Sequence, residues 1–104
     1  MKQRKFKPFG NISSLSLGGG GIGNVWGKTN RSERVSTVRL AIESGINHYD
    51  MAPMYGNGEA ESVMGLAFPN GYPSDLKVTT KCMVGGVDGQ EIDQKLRQSL
   101  DESC

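Results

Sequence analysis

Histidine occurs once in this chain of 104 residues, cysteine twice, tryptophan once and proline four times. Each scarcity excludes something. Cys82 and Cys104 have no second cysteine or histidine at metal-ligand spacing, so we expect free thiols in a reducing compartment and no bound metal. No run approaches the ~20 apolar residues of a membrane span. The basic start MKQRKFK runs into PFGNISS instead of an apolar core segment, which makes it a poor secretory signal. Neither sign of charge dominates, with 12 basic and 11 acidic side chains, so nothing points to nucleic acid or an acidic membrane as partner. The expectation is a soluble cytoplasmic protein of one domain, 1–104. Its length is well short of the roughly 200 to 250 residues of a closed α/β barrel.

Glycine, by contrast, is plentiful at 15 residues, and it concentrates in GGGGIGNVWGKT, Gly18 to Thr29. Gly18, Gly20 and Gly23 satisfy G-x-G-x-x-G, and Gly27-Lys28-Thr29 resembles the end of a P-loop. Neither phosphate motif holds. The P-loop requires glycine where Ile22 stands. The dinucleotide fingerprint requires a helix opening at the third glycine, whereas the next helix signal lies near Ser32. Asp50 also follows the glycines by more than the usual ~20 residues.

The rest of the chain alternates strand-like and helix-like segments. KQRKF and ISSLSL suit a hairpin, with Pro8 and Gly10 in its turn, that leads into a strand ending at the glycines. Asn30-Arg31-Ser32-Glu33 has the form of a capping box, followed at helical spacing by Val35, Val38 and Ile42 until Gly45. Ile46 to Asp50 reads as a short strand. Ala60, Val63, Met64, Ala67 and Phe68 then share one face of a helix that Pro69 ends. Leu76 to Lys81 is rich in β-branched residues and reads as a strand. Asp88-Gly89-Gln90-Glu91 caps a last helix that turns Ile92, Leu96 and Leu100 inward, with Glu91/Lys95 and Asp93/Arg97 paired outside. The order β-α-β-α-β-α predicts a parallel sheet with right-handed crossovers, whose chemistry gathers at the carboxyl ends of the strands.

Three residues meet that condition. Asp50 and Lys81 close successive strands, and strands about 4.8 Å apart let them form an ion pair at the mouth of the sheet. Tyr55 follows in the loop after Asp50. A phenol is a poor proton donor at neutral pH, and a neighbouring ammonium stabilises the phenolate. The trio therefore suits general-acid catalysis at a carbonyl that receives a hydride. Taken singly, each residue has a plainer reading, as turn residue, solvated lysine or packing tyrosine. His48 lies deeper along the same side as Asp50 and is expected to be a core histidine with a hydrogen-bond partner. Glu59 and Glu61 suit the helix dipole and receive no catalytic role.

Asp50-Met51-Ala52-Pro53-Met54-Tyr55-Gly56, preceded by AIESGINHY, resembles the D-T-A-x-x-Y-G motif of the aldo-keto reductase family. T-T-K ending at Lys81 is similar to that family's lysine strand, and the hairpin, L-S-L-G-G and EIDQKLRQSLDES follow it too. The resemblance covers nearly the whole chain. It implies an α/β fold, a partial (β/α)8 barrel with an N-terminal β-hairpin followed by three βα units, not closed. It implies NADPH as cofactor, with NADH the alternative, and a small carbonyl or sugar substrate. Carried over, Tyr55 is the proton donor, Lys81 tunes it, and Asp50 partners Lys81 and contacts the cofactor ribose. Gly19 and Gly20 match positions whose backbone approaches the nicotinamide half, and Trp26 is a candidate wall of the substrate pocket. Met51 departs from the usual threonine. The family's catalytic histidine and its adenine-side contacts follow the third helix, so the isolated segment is expected to be inactive. Readings of other classes are a non-catalytic nicotinamide-binding or accessory protein of this fold, a small structural α/β protein, and a Rossmann fragment.

Overall fold

The computed structural model describes residues 1–82 and 89–103. The basic start forms a hairpin: β1 (Gln3–Phe6) pairs antiparallel with β2 (Gly10–Ser13), in a register that sets Phe6 opposite Gly10. Gly10 takes a positive φ of 80° in the turn, a conformation open to glycine without steric cost. Phe6 and Phe9 stack at 6.1 Å between ring centroids. Asn47 ties this hairpin to the body of the protein. Its side-chain oxygen accepts from the Ser13 amide at 2.8 Å, its own amide donates to Ser13 Oγ at 3.0 Å, and its Nδ2 donates to the Asn11 carbonyl at 3.1 Å.

After the hairpin come β3 (Leu17–Gly18), β4 (His48–Asp50) and β5 (Lys77–Thr79), which form a parallel sheet in that order. The register pairs Gly18 with Asp50 and Asp50 with Thr79, so all three strands end level. Among the described residues, β3 and β5 are sheet edges, and the barrel is not closed.

The connections are helical. α2 (Arg31–Glu43) begins at the expected capping box, with Asn30 and Glu33 satisfying each other's backbone amides, and ends before Gly45, whose φ is 85°. α3 (Glu59–Ala67) turns Ala60, Val63, Met64 and Ala67 into the core. Together with Val38, Ala41, Tyr49 and Met51 they make one apolar cluster on the helix-covered face of the sheet. Tyr49 is fully buried and donates its hydroxyl to the Val38 carbonyl at 3.1 Å. Burial pushes that phenol up to about 12.

Three expectations need correction. A helical turn, α1 (Gly19–Ile22), opens inside the glycine run, well before the helix expected near Ser32. Its amides do not meet the fingerprint, because Gly23 caps its end instead of starting it. In α4 (Gly89–Ser103), Leu96 is not inward but 42 % exposed, and Ile92 is half-buried. This helix follows the edge strand β5, which offers too little sheet to cover an apolar stripe. The Asp93–Arg97 pair forms as expected at 2.9 Å. The cap at Asp88 and the side chain of Leu100 lie outside the described residues. His48, finally, is half-buried instead of core. Its ring nitrogens meet Ser16 Oγ at 2.7 Å and Thr79 Oγ1 at 3.0 Å, so the expected hydrogen-bond partners are present. It lines a groove of about 750 Å³ between hairpin and sheet, with Arg4, Phe6, Ile12 and Lys77.

Candidate active site

The level strand ends decide what meets what. Asp50 closes β4 opposite Thr79, and Lys81 lies two residues past Thr79, hence on the same face. The strand pairing continues one step beyond the sheet, with the Met51 amide donating to the Thr79 carbonyl at 2.7 Å. Lys81 Nζ then reaches Asp50 Oδ1 at 2.8 Å and the Met51 carbonyl at 2.9 Å. The hydrogen bond to Asp50 holds the ammonium above the ordinary lysine range, burial opposes it, and the Tyr55 side chain adds to it. Both side chains stay accessible, Lys81 at 40 % and Asp50 at 43 %.

Tyr55 completes the group. Its ring is half-buried against the core cluster, and Lys81 Nζ stands 5.0 Å from the ring centroid. The structure thus brings Asp50, Lys81 and Tyr55 into one cluster at the carboxyl ends of the strands. Gly19 joins them: a Cβ built there would lie 3.0 Å from the Asp50 carbonyl and 3.0 Å from the Tyr55 ring. Gly20 points elsewhere, under the indole of Trp26, whose ring atoms lie 3.0 Å from a Cβ built on it. Trp26 itself is 81 % exposed. A Cβ at Gly23 would meet the Tyr55 carbonyl at 2.7 Å, and one at Gly56, where φ is 68°, would run into the Gly23 carbonyl.

Two acidic residues do more than the sequence reading assigned them. Glu59 receives Arg31 through Nε at 2.9 Å and through NH2 at 2.6 Å, and Arg34 NH1 at 2.7 Å. The Arg31 hydrogen bonds hold its carboxyl below the usual range. Arg34 also donates to Thr29 Oγ1 at 2.8 Å and to the Thr29 carbonyl. This knot ties the start of α3, four residues after Tyr55, to the start of α2. Glu61 accepts from Thr80 Oγ1 at 2.6 Å. Their positions in a first helical turn gave only the dipole signal; the partners lie 19 to 28 residues away. Among the described residues, no group of three His, Cys, Asp or Glu side chains can hold a metal ion, and no helix is long and apolar enough to cross a membrane.

Parallel strands joined by helices, a hairpin beneath their starts and a polar cluster above their ends define a segment of a (β/α)8 barrel with its site at the strand mouth. The chain belongs to the aldo/keto reductase family, whose model matches residues 14–104. It is 34% identical over 99 residues to the L-galactose dehydrogenase of Arabidopsis thaliana, covering 88% of this chain and 30% of the relative. It is 39% identical over 56 residues to the aldo-keto reductase YhdN of Bacillus subtilis, covering 53% of this chain and 17% of the relative. Among solved structures, the glycerol dehydrogenase of Gluconobacter oxydans superposes with a TM-score of 0.69 at 26% identity over 99% of this chain and 34% of that one. An aldo-keto reductase from Klebsiella pneumoniae, solved in complex with NADPH, gives a TM-score of 0.76 at 24% identity over 98% of this chain and 35% of that one, a likeness of fold. The chain therefore spans about a third of the length of these solved relatives, and the fold is a partial, open barrel of that family.

Proposed function

We infer that this segment supplies the proton-donor half of a reductase site, one that reduces an aldehyde or ketone, sugars included, to an alcohol with NADPH, or with NADH. The observation that carries the reading is the Asp50–Lys81–Tyr55 cluster at the strand ends. Asp50 fixes the lysine, and Lys81 places an ammonium beside the Tyr55 ring. Tyr55 then delivers its phenol proton to the carbonyl oxygen as charge develops on it.

The donor set fits a nicotinamide nucleotide. Asp50 keeps an accessible carboxylate, an acceptor suited to a ribose hydroxyl, and the Gly19 and Gly20 backbone lies beside it at the mouth of the sheet, though the space a side chain would take there is filled by Met51 and Tyr55 at Gly19 and by Trp26 at Gly20. When bound, the cofactor supplies the hydride. The phosphates and the catalytic histidine of the family correspond to barrel positions outside this segment, so turnover requires the remaining strands.

The test grafts residues 14–104 in place of the matching segment of the Gluconobacter oxydans dehydrogenase and follows NADPH consumption with a panel of carbonyl substrates. Tyr55→Phe is expected to lower kcat by about 10²- to 10⁴-fold, the span of a general acid's contribution, with cofactor affinity unchanged. An active graft whose rate survives Tyr55→Phe refutes the assignment. Comparable turnover by the isolated 104-residue chain refutes the need for the remaining strands.

A further inference from the structure

Lys81 is also held from the face of the sheet opposite the site. Alternation along the strand turns Thr79 and Lys81 toward Asp50 and turns Thr80 the other way, toward the helices. There Thr80 Oγ1 donates to Glu61 Oε1 at 2.6 Å in a partly buried, charge-assisted bond. Glu61 belongs to an element that cannot shift easily, since Ala60, Val63 and Met64 on either side of it are buried to within 1 % of completely. A carboxylate in a first helical turn needs no explanation beyond the dipole when it faces its own helix. This one instead takes a hydroxyl from the residue just past β5, 19 residues on.

We propose that Glu61 is a positioning residue: through Thr80 it sets the orientation of the peptide leading into Lys81, so that Nζ falls on Asp50 and beside Tyr55. This rests on the reading of Lys81 as the residue that tunes Tyr55. Other contacts hold the same strand end from the site side: the Met51 amide donates to the Thr79 carbonyl at 2.7 Å, and Lys81 Nζ donates to the Met51 carbonyl at 2.9 Å. The Lys81–Asp50 pair is largely exposed, and contacts of that kind contribute little. From α4, Ser99 Oγ reaches the Lys81 carbonyl at a long 3.5 Å, and Cys82 Sγ reaches the Lys95 carbonyl at 3.6 Å. The Thr80–Glu61 bond is the shortest of these ties and joins the site strand to the buried core.

The experiment follows the ammonium nitrogen of Lys81 by NMR in the 104-residue chain, assigned by its loss in Lys81→Met, and titrates it through alkaline pH. In the parent chain its midpoint is expected above the ordinary lysine value of about 10.4, because the nitrogen sits on Asp50. Thr80→Val removes the tie and keeps the Glu61 charge, so the midpoint is expected to fall toward the ordinary value. Glu61→Gln removes the charge and keeps an acceptor for the hydroxyl, so the midpoint is expected to stay near that of the parent. Glu61→Ala removes both and is expected to behave as Thr80→Val; compared with Glu61→Gln, equally uncharged, it repeats the test should Thr80→Val not fold. A midpoint unmoved in Thr80→Val, or one that falls equally in Glu61→Gln and Glu61→Ala, overturns the proposal, since the contact would then be merely structural or merely electrostatic. The readout involves no turnover, so it stands apart from the fate of Tyr55→Phe in the graft.

Discussion

Gly19 and Gly21 lie two residues apart in the same helical turn, and their surroundings differ completely. A Cβ on Gly19 would stand 2.8 Å from Met51 Sδ and 3.0 Å from both the Asp50 carbonyl oxygen and Tyr55 Cδ2; one on Gly21 would have nothing within 4 Å. Neither has a left-handed φ, so alanine meets no backbone strain at either site. In the open position, Gly21→Ala should stabilise by about 0.4 to 1 kcal/mol, through the smaller entropy of the unfolded chain. Gly19→Ala gains the same and loses more. Met51 is 1 % exposed and cannot swing into solvent, while the carbonyl belongs to a strand end and the ring is wedged against the core. Overpacking of this kind costs about 1 to 3 kcal/mol, leaving Gly19→Ala less stable than Gly21→Ala by about that much. Urea unfolding of both variants, followed by helical circular dichroism because the single tryptophan is too exposed to report, gives the two differences directly. Equal stability of the two variants, or Gly19→Ala the more stable, refutes the account of the glycine run as a close-packing surface for the Tyr55 loop.

Two further substitutions test the frame around the site. Tyr49→Phe deletes the hydroxyl given to Val38, a loss of about 0.5 to 1.5 kcal/mol at neutral pH. The Tyr49 phenol is raised in the fold from 10.0 to about 12, so its contribution is full below the unfolded value and is lost as pH rises through the folded one. Parent stability should therefore fall more steeply than that of Tyr49→Phe between pH 10 and about 12 in paired denaturation curves, and parallel curves would contradict the burial argument. Glu59→Gln leaves Arg31 and Arg34 without their carboxylate and should destabilise by about 1 kcal/mol. Because the Glu59 carboxyl is lowered in the fold, its stabilisation is present above the ordinary glutamate value and is lost as pH falls through the folded one. The gap between parent and Glu59→Gln should close on acidification below about 4.3; a gap that persists unchanged in acid would mean the charge is not what holds the knot.

Elements with local instructions were legible in the sequence, and those that depend on remote partners were not. The capping box at Asn30 and Glu33, the i, i+3, i+4 face of α3 and the turn at Gly10 each carry their cause within a few residues. α1 does not: glycine is a poor helix former, about 1 kcal/mol worse than alanine per residue, and only packing of Gly19 and Gly23 against the Tyr55 loop accounts for a helical turn there. Leu96 shows the reverse, a periodic apolar position whose intended surface is not among the described strands. Asp50 and Lys81 could be placed together because parallel strands that end level bring i and i+2 positions to one face. Glu59, Glu61 and Asn47 could not, since their partners lie 19 to 36 residues away and any first-turn acid looks alike in sequence.

The same contrast explains why a run of glycines imitates two phosphate motifs without being either. A phosphate cradle needs glycine so that backbone amides can approach a ligand. Here Gly19, Gly23 and Gly56 are needed so that two backbones can approach each other: α1 and the Tyr55 loop meet at distances no Cβ would permit. Close approach is the shared physical requirement, and sequence spacing records the requirement without recording the partner. If the partner is the Tyr55 loop, enlarging Gly23, whose Cβ would press on the Tyr55 carbonyl itself, must displace the phenol from Lys81, whereas a phosphate role would leave that contact untouched.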